Sequence, residues 1–127
     1  MECSSRELQK DRSMSDVFDY EGLVRDFLGF YEAKDINSID RMLSDDVVIR
    51  DWNLEVQGKS NALDFFNKNF RDAESLSIEV RDVFLSESGA AVVVDILVSN
   101  VERLSVVDVV TFDRAGLVES VISFKGL

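Results

Sequence analysis

Histidine and proline are both absent from this 127-residue chain, and cysteine occurs once, at Cys3. Without histidine there can be no histidine-based catalytic triad, no histidine-ligated zinc and no imidazole base. A single thiol in a polar N-terminal stretch cannot close an internal disulfide, and its surroundings give it no activating charge pattern. Basic residues are scarce beside acidic ones, 14 against 25, for a net charge of −11. A polyanion would be repelled, so nucleic acid is excluded as a partner. Long apolar runs are missing too. The most apolar stretch, Ala90 to Val98, is broken by Asp95 and is far too short to span a bilayer. The first residues, Met1 to Glu7, have no apolar core of the signal-peptide kind. A cytoplasmic protein without membrane association is the expectation. No glycine-rich phosphate loop and no metal-ligand spacing occurs, so neither cofactor nor metal is expected. Any chemistry must run on carboxylates, Tyr, Lys, Arg or backbone groups.

Hydrophobic residues make up 46% and charged residues 31% of the chain, a balance that supports a folded core. The length suits one domain. Residues 1–19 are polar and aperiodic, which predicts a flexible tail, with the domain over 20–127. From Glu21 the pattern is helical: Leu23, Phe27, Phe30 and Lys34 share one spacing, and Val24, Leu28 and Tyr31 the next. Asn37 or Ser38 can open a second helix with Ile36, Ile39, Met42 and Leu43 inward. Val47 to Trp52 reads as a strand. Gly58 and Ser60 mark a turn and cap before a third helix that buries Ala62, Leu63, Phe66 and Phe70.

The remainder reads as sheet. Leu76, Ile78 and Val80 alternate with polar residues, the period of a half-buried strand. Ala90 to Asn100 is apolar on both faces and predicts a central strand. Leu104, Val106, Asp108, Val110 and Phe112 share one face of the next strand, a turn follows at Asp113 to Gly116, and a last strand runs from Leu117 to about Lys125. Helices first and a strand meander afterwards is an α+β layout.

Two aspartates stand out physically. Asp108 shares its face with Val106, Val110 and Phe112, so its carboxyl should titrate high and donate a hydrogen bond at neutral pH. Asp51 follows Val47 and Ile49 on one face and is expected to point inward. Two such carboxylates in one apolar cavity can divide into a neutral acid and an ionised base. The plainer alternative has Asp51 ending its strand or pairing with Arg50 or Lys59. Asp95 is another candidate, inward or at an interface, with Arg103 across the hairpin as its possible counter-ion.

Three segments resemble the nuclear transport factor 2-like superfamily, in particular its SnoaL-like and ketosteroid isomerase-like branches. They are Leu23 to Asp51, Gln57 to Phe66, and Val107 to Val118, distributed across residues 22–127. The resemblance implies a cystatin-like cone, with N-terminal helices packed on a curved, mostly antiparallel sheet that encloses a pocket. The isomerase template then puts a proton-transferring base at Asp51 and an enolate-stabilising acid at Asp108. Its helix-borne tyrosine falls on Phe27, which has no hydroxyl, and its proline after the base falls on Trp52. Losing such a donor costs on the order of 10²–10³ in rate. Tyr31, one turn later, is either a substitute hydroxyl or a residue of the pocket rim.

The expected pocket lining is Phe27, Tyr31, Trp52, Phe66, Val106, Val110 and Phe112. An Asp–Arg–Asp epoxide hydrolase arrangement is rejected, because Val93 and Val106 stand where it needs polar residues. Two readings of function follow. One is a pocket domain that binds a small apolar molecule. The other is an isomerase-like enzyme with Asp51 as base and Asp108 as acid. A homodimer through the open sheet face is also expected, with Val92, Val94, Val107 and Val109 as its apolar outer positions.

Overall fold

The computed structural model describes residues 18–126. Cys3 and nearly all of the expected tail lie outside them. Helix α1 (Tyr20–Glu32) begins where Asp19 accepts a 2.9 Å hydrogen bond from the amide of Gly22, and Glu21 adds a negative charge to its first turn. Its apolar stripe buries Val24, Phe27 and Leu28. Lys34, at φ 58°, reverses the chain into α2 (Ile36–Met42). Asp35 caps that helix, accepting from the amide of Ser38 at 3.2 Å and from its hydroxyl at 2.6 Å. The cap therefore falls before Asn37 and Ser38, the two residues expected to supply it. Helix α3 (Lys59–Asp72) starts after Gly58, whose φ of 88° suits glycine, and Ser60 lies within the helix instead of capping it.

Strands β1 (Leu43–Arg50), β2 (Glu55–Gln57), β3 (Leu76–Leu85), β4 (Gly89–Val98), β5 (Glu102–Phe112) and β6 (Val118–Lys125) form a single open sheet of six strands. Its order is β2-β1-β6-β5-β4-β3. All neighbours pair antiparallel except β1 and β6, which run parallel. The three helices pack on one face of this mixed sheet, as an α+β cone requires. Register shifts between Val80 and Asp82 and between Thr111 and Phe112 mark bulges, the devices that bend long strands.

Register also decides which side chains face the helices. Val92 lies opposite Asp108 and Val94 opposite Val106, so all four point to the concave face. Val92 and Val94 are fully buried there and do not belong to the outer surface. The outer face carries Ala91 opposite Val109, Val93 opposite Val107, and Ile122 and Phe124 beyond them on β6. Asp95 is on this outer face as well. It accepts from Arg81 and from the hydroxyl of Ser105, each at 3.1 Å, while Arg103 sits opposite Leu97 and takes no part. Among the described residues, no helix is long and apolar enough to cross a membrane.

Candidate functional site

Between the helices and the concave face lies a cavity of about 420 Å³. Its walls are mainly apolar, built from Phe27 and Leu28 of α1, Phe65 and Phe66 of α3, and Ile96 and Leu104 of the sheet. Its mouth lies where β1 ends, β5 begins and α3 gives way to β3. Trp52, 44% exposed, stands there with Asn53, Asp72 and Glu102.

The expected lining divides along the strand axis. Phe27, Tyr31, Trp52, Phe66 and Val106 line the cavity together with Asp51 and Asp108. Val110 and Phe112 do not. They share the face of Asp108 but continue past the cavity into packed core, where Phe112 stacks on Tyr20 with ring centroids 5.1 Å apart.

Asp108 is deep in the site, 8% exposed, because the alternation of β5 turns every second residue inward. Its register partner on β6 is Ser123, whose hydroxyl donates to Oδ1 at 2.5 Å. Oδ2 has no hydrogen-bond partner among the described residues. Burial pushes the carboxyl up to about 6, and the Ser123 bond works against that rise. The rise agrees with the expectation that its apolar strand face makes this carboxyl titrate high.

Asp51 has a structural task beside its place in the lining. Oδ1 accepts from the amides of Asn53 at 2.8 Å and Leu54 at 3.0 Å, closing the turn between β1 and β2. Neither expected partner is on it: Lys59 pairs with Asp40 at 3.1 Å and 3.8 Å from Asp45. Its Oδ2 is free of hydrogen bonds among the described residues.

Tyr31 packs edge-on against Phe66 and Phe70, at centroid distances of 5.7 and 4.9 Å. Its hydroxyl accepts a 3.1 Å hydrogen bond from the amide of Asn69 on α3. That hydroxyl titrates above its ordinary value, chiefly through burial. The Asn69 bond opposes the rise, and the negative charges of Asp108 and then Asp51 add to it. The phenol thus shares the electrostatic field of both carboxylates. Among the described residues, no three Asp, Glu, Cys or His side chains gather as a metal site.

The profile of the SnoaL-like domain matches residues 24–121, most of the chain. The chain belongs to the SnoaL-like domain family. Solved structures agree on the fold of this SnoaL-like domain. A proposed ketosteroid isomerase from Kribbella flavida is 21% identical, with a TM-score of 0.75 over 91% of this chain and 83% of that one. A proposed SnoaL-like polyketide cyclase from Shewanella denitrificans is 9% identical, with a TM-score of 0.76 over 84% and 90%. A nuclear transport factor 2-like protein of unknown function from Cytophaga hutchinsonii is 12% identical, at 0.73 over 89% and 95%. No curated protein sequence matches the chain. Identities this low carry the shared fold and not a shared activity.

Five polar residues of the SnoaL-like site escaped the sequence reading: Asn53, Asn69, Asp72, Glu102 and Ser123. Asn69 lies between Phe66 and Phe70, on the stretch of α3 whose apolar residues turn inward, and a polar residue there was a usable signal. Ser123 had none of its own. Only the pairing of β5 with β6 brings it to Asp108.

Proposed function

We propose that this SnoaL-like domain binds a small, largely apolar molecule in the cavity, with a polar end directed at Tyr31 and Asp108. The observation that carries this reading is an apolar space of about 420 Å³ with a part-buried hydroxyl and a buried carboxylate in its wall. Pockets of this volume and composition suit small ligands, the few polar groups fixing orientation. A neutral solvatochromic dye such as Nile red tests it. Saturable binding is expected, and Leu104→Trp, which fills the cavity, should abolish it. Equal binding by the filled variant would end the reading.

A second reading is acid–base catalysis in the same cavity. It is favoured by one observation, the Tyr31 hydroxyl under the influence of both Asp108 and Asp51. Tyr31 then supplies the hydrogen bond that Phe27 cannot, and an aspartate takes the proton. This would place the chain beside ketosteroid isomerase-like or polyketide cyclase-like relatives in activity as well as in fold. A homodimer through the outer sheet face completes the proposal. Ala91, Val93, Val107, Val109, Ile122 and Phe124 give that face the apolar character of an interface core, and Phe124 is 56% exposed.

A further inference from the structure

The cavity is one-sided in charge. Asp51, Asp72, Glu102 and Asp108 line it, and among the described residues no lysine or arginine does. Three lysines touch lining residues without being part of the lining. Lys34 donates to the carbonyl of Ala73, Lys68 pairs with Asp72 at 2.8 Å, and Lys125 lies 5.6 Å from the ring of Trp52. Asp51, Glu102 and Asp108 have no ion-pair partner among the described residues.

Asp108 makes this asymmetry informative. A carboxylate that is 8% exposed, held by a single neutral hydroxyl, is costly to bury without a counter-charge. Its free Oδ2 retains full capacity to accept from a charged donor. The same cavity is lined by the rings of Phe27, Tyr31, Phe65, Phe66 and Trp52, and electron-rich aromatic faces attract cations. Within the lining an anionic ligand would meet only like charge. A neutral ligand would leave the buried carboxylate unpaired.

We propose that the cavity takes a lipophilic amine, with its ammonium group at Asp108 and its apolar body against Phe27, Phe66, Ile96 and Leu104. The inference rests on the reading of the cavity as a ligand site and names the ligand's chemical class. Entry is through the acidic mouth at Asp51, Asp72 and Glu102, which draws cations in and turns carboxylates away.

The test is calorimetric titration of the full chain at neutral pH with three probes of one shape: naphthylethylamine, naphthylethanol and naphthylpropionate. The amine is expected to bind at least ~10-fold more tightly than the alcohol, as a charge-assisted hydrogen bond warrants, with the carboxylate weakest. Asp108→Asn, close in shape, should abolish the preference for the amine, so that amine and alcohol bind this variant with similar affinity. An alcohol that binds as tightly as the amine in the wild type overturns the amine inference and leaves the cavity reading standing. So does an amine preference that survives in Asp108→Asn. Absence of binding by all three probes overturns the cavity reading itself, and this inference with it.

Discussion

The side-chain amide of Asn69 donates to the hydroxyl of Tyr31 across 3.1 Å, joining the last turns of α3 to those of α1. Because the phenol oxygen is already an acceptor here, its proton remains to be given to something else. Among the described residues no acceptor takes it. A ligand oxygen in the cavity is the natural recipient.

Tyr31→Phe should therefore weaken the binding of naphthylethanol by about 10-fold, the usual worth of one good hydrogen bond in a dry site. Asn69 loses its acceptor in the same variant, so a stability loss of about 1 kcal/mol should accompany it in chemical denaturation. Unchanged alcohol affinity would mean that the Tyr31 proton is not used.

Asp108 links stability to pH. Its folded value of about 6 lies above the ordinary 3.8, so the folded protein holds this proton more tightly than the unfolded chain. Its contribution to stability is fully present below 3.8 and is lost as pH rises through about 6. The difference corresponds to about 3 kcal/mol. Asp108→Asn removes the titration, so the variant should gain stability relative to wild type between acidic and neutral pH. Parallel melting curves of the two proteins across that range would contradict the assignment.

Asp51 separates its two tasks by substitution. Asparagine keeps an oxygen for the amides of Asn53 and Leu54, so Asp51→Asn should change stability by no more than about 0.5 kcal/mol. Alanine removes the acceptor and should cost about 1 kcal/mol. Under the catalytic reading, Asp51→Asn should also abolish turnover of any substrate found. Retained turnover would remove Asp51 as the base.

Val107→Lys places a charge at the centre of the outer sheet face, between Val93 and Phe124. Light scattering after gel filtration should give twice the chain mass for wild type and the single-chain mass for the variant. A wild-type monomer would overturn the dimer.

Much of this was legible in the sequence where alternation was strict. Leu104, Val106 and Asp108 announced their common face because polar or outward residues interrupt them, and the structure has all three in the cavity wall. Strand β4 announced nothing of the kind. Being apolar on both faces, it carries no phase, and only its register with β5 turns Val92 and Val94 inward and Val93 outward. Periodicity also gives a face without giving a depth, which is why Val110 and Phe112 were expected in the cavity and are found in the core beyond it. The three residues of β2 are too few to leave a pattern. The partnerships of Asp108 with Ser123 and of Tyr31 with Asn69 join residues 15 and 38 positions apart, and no local signal reports such pairs.

The parallel pairing of β1 with β6 carries a consequence for biosynthesis. Strand β6 is inserted between β1 and β5, and it supplies buried Val118 and Val121 as well as Ser123. Until it leaves the ribosome, β1 and β5 expose unpaired edges and the cavity lacks one wall. Such non-local closure is slow relative to local hairpins, since the loop entropy must be met before the contacts form. The hairpins β3–β4 and β4–β5 can form early, but Asp108 gains its hydroxyl partner only in the final step. Ligand competence and completion of the fold thus arrive together, and nascent chains short of β6 should be recognised by chaperones as unfinished.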